Sequence, residues 1–415
     1  MRSGRRTYHD PLHGAITLTV DDPTEALLIQ LIDTPGFQRL RRIRQLGTAS
    51  LTFHGAEGSR FTHSLGVMAI ARRAFDLLVE SYPQLQPYRP LVLCGALLHD
   101  IGHGPFSHTG EDIFGSNHEY WTCRILRESL PLRQKLDAFS PDLVDQLEQV
   151  YLKQFEPPVV WQLVSSQLDC DRLDYLMRDS YFTGASYGHL DLDRILLALN
   201  YDPVSQQLVV VGKGQAAIEH YLVVRYFMYA QVYNHPKNIA AAVGLEQVFR
   251  QAKLLLLKGQ LTADATVTAW LTQPSQELTL AQYLGADDGV FSYHIQHWQT
   301  SAEPVLADLC RRYLDRDLLK ALDVSHLDQD QQAELLAKTE QLLARAGFVP
   351  ECYTGLRVAL SRGYTLYQRG IKLQTTLGLQ EISQVSPLVQ TLTQPYQKAW
   401  LLYPREIAAD VLQLN

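Results

Sequence analysis

The chain has 415 residues, 46% of them hydrophobic and 20% charged, which is material for a large core and, by length, for two or three domains. Its net charge of −7 provides no overall positive field to favour nucleic acid. The five cysteines show no paired spacing, against a disulfide framework or a zinc ribbon and in keeping with a reducing cytoplasm; no apolar run is long enough to span a membrane, and the basic start MRSGRRTYHD lacks the apolar segment of a signal peptide.

In chain order, residues 8–20 alternate after Gly14 and predict a short strand or hairpin arm. Asp21-Asp22-Pro23 opens a helix that runs through Ile32. Thr34-Pro35 opens a second, with Phe37, Leu40, Ile43 and Leu46 at helical spacing and Gly47 as its end. Arg39, Arg41, Arg42 and Arg44 share that helix and read equally as a solvated face or a phosphate-facing one. A further helix follows, with Leu65, Ala69, Ala71, Ala74, Phe75 and Leu78 as its apolar positions and His63 in its first turn. Residues 81–90 are Pro-rich and polar and predict a loop.

Leu91 to Leu98 is apolar on every face and predicts a core helix. His99 and Asp100 stand at its end, followed by Gly102, His103, Gly104, Pro105 and His108. Four of the fourteen histidines fall between positions 99 and 118. An imidazole and a carboxylate at the end of a buried helix need a partner. A hydrogen-bonded capping pair would serve, and so would a divalent metal, which satisfies both groups at once.

Residues 116–130 predict a helix capped by Ser116 or Asn117, with His118 and Glu119 in its first turn. Residues 131–160 are polar, carry two proline breaks and read as surface. Residues 161–179 predict one helix, in which Asp171, Asp174 and Arg178 share a face, as do Arg172, Tyr175 and Asp179. Tyr181 to His189 reads as a Gly-rich pocket lip, and residues 207–213 as a strand. Residues 215–257 are strongly helical from Ile218, and residues 260–345 alternate helical and acidic stretches. From Gly363, YTLYQRGIKLQTT and KAWLLYPREI predict strands around a helix from Ser383 to Leu392. The expected parts are an N-terminal arm and Arg-rich helix (1–50), a catalytic core (51–260), a helical extension (261–350) and an α+β appendage (351–415).

RFTHSLGV (60–67), HDIGHGPFSH (99–108), NHE (117–119) and DCDRLDYLMRD (169–179), in this order, resemble the HD-domain metal-dependent phosphohydrolases, and more narrowly their deoxynucleoside triphosphate triphosphohydrolase (dGTPase-like) branch. The likeness starts near Asp10-Pro11-Leu12-His13-Gly14 and runs to about residue 250. It implies a mainly α fold, an HD-domain helical bundle with the small α+β appendage at its end. It also implies four metal ligands, His63, His99, Asp100 and Asp171. That mixed nitrogen and oxygen shell suits Mn, Fe, Ni, Zn or Mg without choosing among them.

The implied reaction is hydrolysis of a dNTP at the α-phosphorus, giving a deoxynucleoside and tripolyphosphate. The leaving group needs a proton, and imidazole titrates near neutral pH. His103, His108 and His118 are the candidates, with Glu111 and Glu119 as carboxylate partners. His108 is assigned as the acid and His118 as a phosphate contact or second acid. Glu111 stands where the family usually has Asp.

Family positions near the substrate fall on Gln45, Leu46, Tyr175, Asp179, Arg225, Tyr233, Asn234 and His235, and Arg60 and Arg172 are added as substrate-binding residues by their charge. Arg60, Arg172, Arg225 and Lys237 carry the charge a triphosphate requires. Tyr175 and Asp179 match positions that hold the deoxyribose. A regulatory guanine nucleotide, dGTP or GTP, falls on Asp33, Gln38 and Arg41, although His9 stands where the family has Asn and Arg6 where it has Lys. A cytoplasmic homo-oligomer, dimer or tetramer, is implied. Two other readings stay open: an HD-family phosphatase or phosphodiesterase acting on another nucleotide, and a nucleotide-sensing scaffold that binds nucleic acid.

Overall fold

The computed structural model describes residues 4–361, 363–365 and 370–414. The first residues of the basic arm (1–3) and part of the strand expected after Gly363 (366–369) lie outside the described residues.

The arm is an antiparallel hairpin, β1 (Arg5–Asp10) on β2 (Gly14–Thr19). Helix α1 (Pro23–Ile32) follows, its first turn capped by Asp22, which accepts from the amides of Thr24 and Glu25. The expected Arg-rich helix is cut short. Helix α2 (Pro35–Arg39) tightens into a 3₁₀ turn over Leu40–Arg42, and Ile43 is already extended. Arg44 then bridges Ser59, and Gln45 donates to the Gly58 carbonyl. The four arginines therefore do not form one face. Arg39 is buried, with Nε on the Ala286 carbonyl and Nη1 on that of His103, while Arg41 and Arg42 are exposed.

Helix α3 (Arg60–Ser81) is the central rod, buried on most of its faces and packed on α4 (Arg89–Leu98) and α10 (Cys170–Thr183). Leu91 to Leu98 is buried throughout, as its composition requires. Between α4 and α10 run α5 (Ser107–Phe114), α6 (His118–Glu128), α7 (Leu130–Phe139), α8 (Leu143–Tyr151) and α9 (Val159–Val164). Gly102 lets α6 approach the end of α4, since a side-chain carbon there would sit 2.1 Å from the His118 carbonyl oxygen.

Two expectations change here. Residues 131–160 are not merely surface, because Leu132, Leu136, Leu143, Leu147 and Val150 are core. Residues 161–179 are two helices: Asp169 breaks the run and caps α10 by accepting from the Ser166 and Arg172 amides.

Beyond α11 (Leu192–Ala198) lie β3 (Leu199–Asp202), β4 (Gln207–Val211), α12 (Gln215–Met228) and α13 (Pro236–Leu257). The long helix expected over 215–257 is interrupted by a π turn at Tyr229–Tyr233 and restarted by Pro236. The chain continues through further helices with β5 (Lys320–Asp323), β6 (Gly355–Ser361), β7 (Lys372–Thr375), β8 (Gly378–Glu381) and β9 (Tyr396–Tyr403). Sheet order is β3-β4-β7-β8 and β5-β9-β6.

The C-terminal segment serves both large apolar cores. Tyr364, Leu373 and Val389 join the core of α1 to α12, with β7 parallel to β4. Leu401, Tyr403 and Val411 join a second core with Phe106, Trp121 and residues of the helical extension. No helix among the described residues is long and apolar enough to cross a membrane.

Candidate active site

Three segments meet beside the end of α4. His63 comes from the first turn of α3, His99 and Asp100 from the end of α4, and Asp171 from the first turn of α10. Nε2 of His63 lies 3.2 Å from Nε2 of His99 and 3.1 Å from Oδ1 of Asp171, and Nε2 of His99 lies 3.6 Å from the same oxygen. The other ring nitrogens are committed elsewhere. Nδ1 of His63 donates to Asp174 at 2.8 Å, and Nδ1 of His99 donates to the Ala96 carbonyl at 2.8 Å. In their neutral forms both imidazoles thus turn Nε2 lone pairs toward each other and toward a carboxylate.

Such lone pairs repel unless a proton or a cation lies among them. Atoms that share one ion at about 2.1 Å each stand about 3.0–3.4 Å apart, so His63, His99 and Asp171 could hold a divalent metal. The surrounding carboxylates favour positive charge at this point, whether a proton or a cation. Burial pushes the His63 imidazole down, yet Asp171, Asp174 and Asp100 outweigh it and raise it to about 10. Asp100 stands 3.5 and 3.3 Å from the two Nε2 atoms and is also held by Arg60 Nη1 at 2.6 Å.

A second cluster adjoins this one. Glu111 accepts from Nδ1 of His108 at 2.7 Å and from Nδ1 of His118 at 2.8 Å. The longer acid thus reaches both imidazoles at once. His103 stacks on His118, ring centroids 4.0 Å apart, with its Nε2 3.3 Å from Asp100. Burial, with Arg60 and His118 nearby, pushes His103 well below the ordinary imidazole range and keeps it neutral. Glu119 is exposed, and the carboxylate on His118 is Glu111.

The loop between the clusters is strained. Phe106 and Ser107 both have left-handed φ, 60° and 54°. The Phe106 amide donates to Asp288, Ser107 Oγ donates to the Arg44 carbonyl, and Tyr283 donates to the Gly102 carbonyl. The helical extension therefore clamps the histidine loop in place.

Residues 60–174 match the family model "HD domain". YwfO, an uncharacterised protein of Bacillus subtilis, is 36% identical over 98% of this chain and 94% of its own length. The chain belongs to the HD-domain phosphohydrolases. A Bacteroides thetaiotaomicron phosphohydrolase of known structure is 27% identical, with a TM-score of 0.84 over 97% of this chain and 100% of that one. The Dictyostelium discoideum homologue of the deoxynucleoside triphosphate triphosphohydrolase SAMHD1 is 27% identical over 78% of this chain and 61% of its own length.

In this HD domain both clusters open onto one cavity of about 680 Å³. Gln45, Leu46, Arg60, Arg172, Tyr175, Asp179, Tyr233 and Asn234 line it, as do His99, Asp100, His103, His108, His118, Glu119 and Asp171. Arg225 does not: it is buried behind the wall, donating to Gln167 at 2.9 Å and facing the Tyr229 ring. Lys237 does not line it either, and Lys153, which sequence reasoning passed over, does. Lys153 takes a left-handed φ of 59° just past α8, a turn for which a lysine gives no sequence signal. Residues 181–189 are not the lip of this cavity; several of them line another one with Leu12 and Met177.

The candidate regulatory residues lie apart from the cavity. Asp33 pairs with Arg6, Gln38 accepts from Arg41 Nε at 2.8 Å, and Arg41 lies over the Phe61 ring at 3.5 Å.

Asp179 carries a pH prediction. Burial raises its carboxyl to about 7, against the Tyr233 hydroxyl that donates to it at 2.8 Å. An acid raised on folding holds its proton in the native state, so it costs nothing below its ordinary 3.8 and destabilises the fold as pH rises toward 7. Asp179→Asn is therefore expected to stabilise the protein more at pH 8 than at pH 5, by up to about 3 kcal/mol. Thermal melts of both proteins across that range check it.

Proposed function

We propose that the protein is a metal-dependent deoxynucleoside triphosphate triphosphohydrolase that cleaves dNTPs into deoxynucleoside and tripolyphosphate. The observation that carries this reading is the facing of two clusters across one cavity. One is the cluster of His63, His99 and Asp171 with Asp100 beside it, the residues that would hold the metal. The other is the pair of imidazoles, His108 and His118, that share Glu111.

A divalent cation, when bound, supplies a Lewis acid to the phosphoryl oxygens and eases deprotonation of the attacking water. The rest falls to the chain. Water attacks the α-phosphorus, the bond to the 5′-oxygen breaks, and His108 delivers a proton to that oxygen. Glu111 accepts from Nδ1 of His108, so Nε2 is left for the leaving group. His118, held by the same carboxylate, contacts phosphate or acts as a second acid. Arg60, Arg172 and Lys153 meet the triphosphate charge, and Gln45, Leu46 and Asn234 complete the walls. Tyr175 packs on the sugar edge, and Asp179 with Tyr233 binds the sugar. Arg225 supports the wall through Gln167.

Regulation extends the reading. dGTP or GTP binds at Asp33, Gln38 and Arg41 and activates a cytoplasmic homo-oligomer. The SAMHD1 homologue supports a dNTP substrate through its name alone.

The test is product identification. Each dNTP is incubated with protein and Mn²⁺, with and without dGTP, and products are resolved by ³¹P NMR. Tripolyphosphate and deoxynucleoside are expected, at a rate that rises with dGTP. Orthophosphate or pyrophosphate instead, or turnover only of a monophosphate or cyclic nucleotide, would move the protein to another phosphohydrolase reaction. No hydrolysis, with salt-dependent binding to single strands, would favour the scaffold.

A further inference from the structure

The Asp10-Pro11-Leu12-His13-Gly14 turn joins β1 to β2, far in sequence from the ligands, and the catalytic reading gives it no task. Two of its side chains, Asp10 and His13, run inward. Oδ1 of Asp10 accepts from the Leu12 and His13 amides, both at 2.9 Å, which fixes the turn. Oδ2 of Asp10 accepts from Arg178 Nη1 at 2.9 Å. Nε2 of His13 donates to Oδ1 of Asp174 at 2.5 Å.

Asp174 is fully buried and receives four hydrogen bonds. Oδ1 takes His13 and Arg178 Nη2, and Oδ2 takes Arg178 Nε at 2.7 Å and His63 Nδ1 at 2.8 Å. A carboxylate has about four lone-pair sites, so every one is used. Neighbours leave the group no room to shift: a side-chain carbon at Gly66 would fall 2.0 Å from its Oδ1.

We infer that the hairpin turn is a positioning element for the metal centre, with His13 and Asp10 fixing Asp174 and Arg178 so that Asp174 holds the His63 ring with Nε2 toward the ligands. The inference rests on the metal-centre reading above and adds residues to it. Partners of this kind orient a ligating imidazole and raise its basicity, and their loss typically costs about 10–100-fold in metal affinity. His13 lies 161 positions from Asp174, so the hairpin must be docked before the site is complete.

The experiment measures Co²⁺ binding to full-length, chelator-treated protein by calorimetry and by the visible ligand-field spectrum. His13→Leu removes the donor and keeps bulk; it is expected to bind about ten-fold or more weakly, with an altered spectrum. Leu12→Ala trims the same turn without touching the network and should match wild type. If His13→Leu does not fold, His13→Gln replaces it and should weaken binding by a few fold, with the spectrum again altered. Wild-type affinity and spectrum in the folded His13 variant overturn the inference while leaving the metal centre intact. No Co²⁺ uptake by wild type overturns the metal-centre reading itself and this inference with it.

Discussion

Asp171→Ala is expected to lower kcat/KM by about three orders of magnitude or more, equivalent to about 4 kcal/mol of transition-state stabilisation, and to strip the purified protein of metal. Asp171 is the informative candidate ligand to remove. Its side chain is about one-third exposed (32%), whereas His63 is fully buried and pairs with Asp174. Truncating His63 would open a void and strand a buried carboxylate, so lost activity could mean lost fold. Truncating Asp171 leaves Leu173 and Leu176 of α10 in the core. Circular dichroism and melting should therefore stay near wild type while turnover disappears. Asp171→Asn, keeping a neutral oxygen, should fall between the two. Undiminished activity and metal content in Asp171→Ala would remove it from the ligand set.

The next largest effect is expected at Glu111. Glu111→Gln should reduce kcat by about 10²-fold, within the range for loss of a positioned acid, with a smaller change in KM. The amide can accept at only one of its two terminal atoms, so His108 or His118 must lose its partner. A stability signature accompanies this. Burial pushes the Glu111 carboxyl up, but the His108 and His118 donors more than reverse that and hold it below its ordinary 4.5. A depressed acid stabilises the fold above its ordinary value and stops doing so as pH falls through its folded value. The variant should therefore melt below wild type at pH 7, with the gap closing in acid. Unchanged kcat would return the proton-donor role to a histidine without a carboxylate partner.

The convergence of the candidate ligands was legible because they sit in short motifs whose local structure is simple. Leu91 to Leu98 can only be a buried helix, and His99 and Asp100 follow it. What the sequence hid was breaks and long-range docking. Phe37, Leu40 and Ile43 recur at three-residue steps, which fit an α-helix or a 3₁₀ turn, and the choice was made by pairing of Arg44 with Ser59. The apolar spacing from Trp161 onward runs through Ser165 to Asp169 without a proline or glycine, and only the Asp169 cap separates α9 from α10. Arg225 reads as a substrate contact by its place in the motif order, yet Gln167 accepts its guanidinium behind the wall. Tyr364 and Leu373 sit in a segment that reads as an appendage, and they complete the core of α1 to α12.

The proposed chemistry requires a divalent cation held by His63, His99, Asp100 and Asp171. The most direct measurement is hydrolysis of a dNTP by chelator-treated protein as Mn²⁺ is returned in small steps. No turnover is expected at zero metal, and recovery should track occupancy of the site, with no recovery in Asp171→Ala. Turnover that survives complete metal removal would contradict it.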